Sequence, residues 1–212
     1  MDEKKRKKRN MLIGIIVVSL LGVVSMILLA NPQLFEIKHD SNNVTSMYSD
    51  KLYSYNFYPT DYDLDPTKDE RYMQYDRYVY YKNGAVSQAV LEGEEDDYGR
   101  AVRFFIDYFD TVIAGDTDTY NTYFTDRYYE DNEPHVRFAP QMLYDIEVEQ
   151  LSEETHDDGT SKWAFNVTYK IHRNDGTFRN DLDSDSSKTL YFELLGYADG
   201  TVKIDYITYY KR

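Results

Sequence analysis

The sequence predicts an α+β protein in which an N-terminal transmembrane helix precedes a cone-like domain of two or three helices packed on a curved antiparallel sheet. Three observations predict this class. An uncharged apolar run occupies residues 11–30, helical periodicity follows in residues 98–114, and apolar and polar residues alternate from residue 142 onward. The first pattern suits a bilayer, and the other two suit a helix and strands that share one core.

The apolar run MLIGIIVVSLLGVVSMILLA follows the basic segment KKRKKR at residues 4–9. Its length at a rise of about 1.5 Å per residue matches the roughly 30 Å hydrocarbon core of a bilayer. Because basic flanks stay in the cytoplasm, we expect a cytoplasmic tail at residues 1–10, a single plasma-membrane span at 11–30, and residues 31–212 outside. A cleaved signal peptide is the alternative, but its apolar region would be shorter and would end in a small-x-small site.

The part of the chain beyond the anchor is strongly acidic. Residues 1–30 hold six Lys or Arg and two Asp or Glu, which leaves the remainder with a net charge near −18. Such a surface repels nucleic acid, so we expect no nucleic-acid partner, although acidity that only maintains solubility is the alternative interpretation. The absence of Cys excludes disulfide and thiolate chemistry and favours a bacterial surface.

Two segments precede the main domain. Residues 31–68 are polar and interrupted by prolines, which predicts a stalk and irregular lead-in. Residues 69–97 are predicted to form a hairpin and an acidic connector, because Asn83-Gly84 lies between β-prone runs and residues 92–97 are acidic. The domain itself is predicted over residues 98–212.

The clearest helix is predicted from Tyr98 to Ala114, where apolar residues recur at steps of three and four. Gly115 is predicted to end it as a left-handed cap, and Asp116 or Asp118 to cap a second short helix. Four strands follow, with hairpin turns at Asp158-Gly159 and Asp199-Gly200. Their predicted ranges are Met142–Leu151, Ser161–Arg173, Thr189–Leu195 and Val202–Lys211.

The first predicted helix is followed by Ala114-Gly115-Asp116, and the second by Tyr123-Phe124-Thr125-Asp126. This order of elements and these short segments resemble the nuclear transport factor 2-like superfamily. The resemblance covers residues 98–211. With the basic tail and single anchor, the chain is similar in architecture to the superfamily's bitopic members, including the inner-membrane assembly factor of type IV secretion. The resemblance implies a cone formed by helices and sheet on the outer side of the membrane.

Enzymes of that superfamily use an Asp or His in the cone as a general base, with Tyr as a hydrogen-bond donor. The resemblance therefore makes Asp107, Asp126, His135 and Asp145 the candidate catalytic positions. The pattern itself assigns none of them, because Asp107 departs from the apolar helix face, Asp126 suits a helix cap and His135 follows Pro134 in a loop.

Two acidic triplets with alternate spacing are candidate calcium ligands: Asp61, Asp63 and Asp65, and Asp181, Asp183 and Asp185. Both lack the Gly at position six and the Glu at position twelve of an EF-hand loop, so solvated loops are the favoured interpretation. The four His lack zinc-ligand spacing. Asn43 and Asn166 begin glycosylation triplets, which matter only in a compartment that glycosylates.

No phosphate-binding loop, nucleophile elbow or basic aromatic platform is present. We therefore expect a membrane-anchored extracytoplasmic binding or assembly module without catalytic activity or cofactor, and with a protein partner at the cell surface. Two alternatives stay open. The domain could bind a cell-wall sugar or another small ligand, or it could be a surface enzyme that uses a pocket in the cone.

Overall fold

The computed structural model describes residues 55–209, which form an α+β domain with three helices and a six-stranded mixed sheet. The α+β class predicted from the sequence is therefore confirmed. Among the described residues, no helix is both long enough and apolar enough to cross a membrane. The predicted tail at 1–10 and span at 11–30 lie outside the described residues, as do residues 31–54 of the predicted stalk.

Three helices follow one another closely: α1 (Arg100–Ala114), α2 (Thr117–Thr122) and α3 (Tyr128–Asp131). Helix α1 starts two residues later than predicted because Gly99, with φ +85° and ψ 167°, is not helical. Gly115 ends it in the left-handed conformation, as predicted. Asp116 caps α2, since its carboxylate accepts a hydrogen bond from the Thr119 N–H at 3.0 Å.

The six strands are β1 (Val79–Asn83), β2 (Val86–Val90), β3 (Met142–Thr155), β4 (Ser161–His172), β5 (Leu190–Gly196) and β6 (Val202–Tyr209). The hairpin at Asn83-Gly84 is confirmed, with Asn83 paired to Val86. The turns at Asp158-Gly159 and Asp199-Gly200 also connect antiparallel neighbours, as predicted. The last residues of the fourth predicted strand lie outside the described residues.

The sheet order is β2-β1-β3-β4-β5-β6, and β1 runs parallel to β3. The prediction of a wholly antiparallel sheet was therefore wrong. The hairpin of residues 79–90 extends the sheet, and the chain crosses through all three helices before it returns as β3. That long connection permits a parallel pair, which a tight turn cannot form.

Helix α1 packs on one face of the sheet. The Phe105 side chain is fully buried, and its ring meets those of Phe165 on β4 and Phe192 on β5 edge-on, with centroids 5.0 and 5.5 Å apart. The predicted packed face of β4 is confirmed, because Trp163, Phe165, Val167, Tyr169 and Ile171 are all buried in the same core. The other face is not fully exposed, since Ala164 and His172 are also buried. The interface between α1 and the central strands is thus the main hydrophobic core of the domain.

The opposite face of the sheet carries a smaller apolar cluster. Tyr72, Met142 and Tyr144 are buried there, and Tyr75 stacks on Tyr144 with ring centroids 4.3 Å apart. Residues 55–68, the described end of the predicted stalk, are irregular apart from a 3-10 turn at Pro66–Lys68. They also contact the domain, since the Tyr58 N–H donates to the Asn174 carbonyl at 2.9 Å. The lead-in thus covers part of this face.

Candidate functional site

A cavity of about 280 Å³ lies between the helices and the end of the sheet where β4, β5 and β6 approach α2 and α3. Helices α1, α2 and α3 each contribute to its lining, together with three strands and the loop that follows β4. Five of the lining residues are tyrosines: Tyr108, Tyr120, Tyr128, Tyr169 and Tyr209. The cavity is therefore aromatic but carries several hydroxyl groups.

The helical period of α1 directs Tyr108 inward, and the two-residue period of β4 directs Tyr169 inward. Tyr108 lies three residues after Phe105 on the buried face of α1, and Tyr169 lies four residues after Phe165 on the buried face of β4. Both side chains are buried, as is that of Tyr120 on α2. Burial raises the pKa of Tyr108 and of Tyr120 well above that of an exposed tyrosine. Both hydroxyls are therefore neutral at physiological pH.

An ion pair forms one side of the cavity. Arg179 is only 8% exposed, and its Nε and Nη2 donate to the two carboxylate oxygens of Asp181 at 2.6 and 3.0 Å. Its Nη1 donates to the Tyr169 hydroxyl at 3.0 Å. Lys188 also contacts Asp181, with its Nζ 3.3 Å from Oδ2. Although partial burial opposes ionisation, Arg179 and Lys188 lower the pKa of Asp181 to about 2.

His135 lines the cavity from the segment that connects α3 to β3. Its backbone is fixed by Asn121, whose side chain accepts from the His135 N–H at 3.1 Å and donates to its carbonyl at 2.8 Å. The imidazole contacts the rings of Tyr120 and Phe178, and neither ring nitrogen has a hydrogen-bond partner within residues 55–209. Burial lowers the pKa of His135, so its ring is neutral at pH 7.

Of the four candidate catalytic residues, the structure places only His135 in the cavity. Asp107 and Asp126 are exposed on the helical side of the domain. Asp145 is exposed at a bulge in β3, where its carboxylate accepts from Lys170 Nζ at 2.8 Å. These three carboxylates are therefore not brought together with His135.

The acidic residues of the first candidate metal triplet make local turn contacts. The Asp61 carboxylate accepts from the Asp63 N–H at 3.0 Å, and the Asp65 carboxylate accepts from the Thr67 N–H at 3.1 Å. Within the part of the chain that the structure describes, no three His, Cys, Asp or Glu side chains are grouped as metal ligands. The first triplet therefore serves turn geometry in the lead-in.

The three members of the second triplet point to different places. Asp181 lines the cavity, and Asp183 accepts from the Asn56 N–H at 3.1 Å. Asp185 accepts from the Tyr144 hydroxyl at 3.0 Å and lies 3.0 Å from His172 Nδ1, on the side of the smaller apolar cluster. Alternate spacing therefore does not make these oxygens converge on one ion.

The residues that shape the cavity were missed by sequence reasoning, apart from His135 and Asp181. Tyr108 and Tyr169 lie at apolar-periodic positions of α1 and β4, and their hydroxyls were the available signal that this core contains polar groups. Arg179 lies in a loop whose polar sequence predicts exposure to solvent, and no local pattern indicates that Arg179 is buried. No known protein family, no curated protein and no solved structure matches this chain.

Proposed function

We propose that the protein is a membrane-anchored extracytoplasmic binding module without catalytic activity, and that it takes up a small molecule in the aromatic cavity. The basic segment and apolar run of residues 4–30 support the anchor and its orientation. The observation that carries the binding function is the cavity itself. Small-molecule sites are concave, largely apolar and supplied with a few polar groups, and this cavity has all three properties.

The ionisable groups of the cavity favour binding over catalysis. A general base needs a pKa near the working pH and is commonly oriented by a third group. Asp181 is held as a carboxylate by Arg179 and Lys188, and its pKa of about 2 makes it a poor base. His135 has no carboxylate partner among the described residues to orient its ring. Neither group has the environment of an activated base.

We further infer that the domain is a cone of the nuclear transport factor 2-like type. Two local features support this inference. Gly115 and Asp116 form the turn between α1 and α2, and Thr125 follows α2 and contacts β6 through Asp205. Bulges within β3 and between β5 and β6 favour strand bending, which a cone requires.

A second function, assembly with a protein partner at the cell surface, is favoured by the position of β2 at the edge of the sheet. This strand, Val86–Val90, is an edge of the sheet and contains no charged residue. The opposite edge is covered near Ile204, which exchanges backbone hydrogen bonds with Tyr123 and Thr125. Within residues 55–209 no strand pairs with this edge, although the Tyr98 hydroxyl donates to the Ala89 carbonyl at 3.5 Å, and an uncharged edge strand is a site at which another strand can add.

Membrane topology is tested with protease added to intact cells that express the chain with a tag at residue 1. The C-terminal domain should be degraded and the tag spared. Protection of the domain would overturn the proposed orientation.

Binding is tested by thermal unfolding of the full-length protein in detergent micelles with a panel of single-ring aromatic alcohols, amides and carboxylates. At least one compound should raise the melting temperature. His135→Trp should abolish that rise because the larger ring fills the cavity. Val136→Trp is the matched control, since Val136 is 98% exposed, and it should retain the rise. A panel without effect, or a rise that survives in His135→Trp, would overturn the cavity as the binding site.

A further inference from the structure

Resting on the proposed binding function, we infer that the ligand is a small monocarboxylate with an apolar body and that its carboxylate binds to Arg179. The guanidinium of arginine has five N–H donors and is always charged. Three of these donors are occupied, two by Asp181 and one by Tyr169. The other two have no acceptor among the described residues, although Arg179 is almost wholly buried and lines the cavity.

Each guanidinium nitrogen of Arg179 has one partner, and the second N–H on Nη1 and on Nη2 points to an acceptor that arrives from outside. A buried donor without a partner is costly, and a charged group is more costly than a neutral one. A ligand oxygen in the cavity would remove this cost. Arginine also recognises carboxylates with more than one N–H donor, and two N–H donors remain on Arg179.

The charge around the cavity favours a single negative charge on the ligand. Asp181 is shared between Arg179 and Lys188, so these three groups together carry a net charge of +1. Asp181 is the sole acidic residue in the lining, and the buried hydroxyls of Tyr108 and Tyr120, which also line the cavity, are neutral. Arg179 and Asp181 balance each other within the lining, and Lys188 beside them adds one positive charge in a chain whose net charge is −14.

The remaining walls define the body of the ligand. Phe178, Leu190 and Ile207 provide apolar surface, and the His135 ring adds nitrogens that have no hydrogen-bond partner among the described residues. A single aromatic ring or a branched alkyl group suits these walls. A phosphate would bring more negative charge than the local +1 balances, so a carboxylate is the preferred anion.

The test is isothermal titration of the full-length protein in detergent micelles with benzoate, phenylacetate, the matching neutral amides and inorganic phosphate. At least one carboxylate should bind about tenfold or more tightly than its amide, and phosphate should bind more weakly than either carboxylate. Lys188 is not among the residues that line the cavity, and Lys188→Met removes one positive charge beside it. It should weaken the carboxylate about threefold to tenfold and leave the amide unchanged.

Arg179→Gln should abolish the preference for carboxylate over amide. Because this change breaks a buried ion pair, continued amide binding by Arg179→Gln is the measurement that shows the cavity is intact. If that variant does not fold, Lys188→Met alone decides the outcome. Amides that bind as tightly as carboxylates would overturn this inference and leave the binding function standing. Failure of every aromatic compound to bind would instead overturn the proposed function.

Discussion

Gly115 lies so close to Pro140 that no side chain fits between them. A Cβ atom on Gly115 would lie 2.7 Å from the Pro140 nitrogen and 2.9 Å from its Cδ, and Gly115 has a φ of +69°. The neighbouring Gln141 N–H donates to the Val112 carbonyl at 3.3 Å, which joins the end of α1 to the start of β3. This contact fixes where the helical layer meets the sheet.

Gly115→Ala should therefore be strongly destabilising. A left-handed conformation costs a non-glycine residue about 1–2 kcal/mol, and the overlap with Pro140 adds to that cost. Gly84→Ala is the matched control, because Gly84 also has a positive φ, +60°, but its added Cβ would contact nothing within 4 Å. Chemical denaturation should show the larger loss for Gly115→Ala, and equal losses would contradict the close contact.

Phe105→Ala should lower the free energy of unfolding by about 3–5 kcal/mol, because it removes a fully buried ring from the centre of the core. Arg103→Ala on the exposed face of α1 should leave stability nearly unchanged, since its two ion pairs are exposed. Urea titration of both variants checks the difference. Similar small effects from both would remove α1 from the core.

Stability should fall as the pH is lowered below about 6.5, in part through His135. Burial places its folded pKa below the ordinary value of 6.5, so the unfolded chain binds the proton more readily. The contribution of His135 is therefore complete above pH 6.5 and declines at lower pH. Thermal unfolding between pH 7 and pH 5 should show a shallower decline for His135→Phe. Exposed His156 is the control, and His156→Phe should keep the original slope.

Thr125→Val should destabilise the domain by about 1.5–3 kcal/mol. The Thr125 hydroxyl donates at 2.9 Å to the carboxylate of Asp205, which is only 4% exposed, and hydrogen bonds to buried charged groups have that value. Thr122→Val should have a smaller effect, because its hydroxyl donates to the Thr119 carbonyl at an exposed position. A cost for Thr125→Val no greater than that of the control would contradict the role of this bond.

Neither millimolar Ca²⁺ nor a chelator should change the melting temperature of the full-length protein. Asp61 and Asp65 accept hydrogen bonds from nearby backbone N–H groups, and Asp181 is already bound by two cations. A cation that binds only the folded state would raise the melting temperature with concentration. Such a rise, lost in Asp61→Asn or in Asp183→Asn, would show a metal site that these contacts conceal.

Much of the local structure was predictable because it depends on neighbouring residues. The end of α1 at Gly115, the hairpin at Asn83-Gly84 and the alternation in β4 each follow from one short segment. The candidate site was less predictable. His135 was identified as a candidate, but so were Asp107 and Asp145. The local sequence does not indicate which of these side chains lies inside a cavity.

The sequence by itself determined the elements, their order and the faces that they bury, because turn chemistry and hydrophobic periodicity act over a few residues. Only the tertiary structure decided that β1 runs parallel to β3, since that pairing joins residues more than sixty positions apart. It also decided that Arg179 is buried against Tyr169 and Asp181. In sequence Arg179 belongs to a polar loop, and it becomes part of a cavity because α1, α2 and β4 converge around it and exclude most of the water.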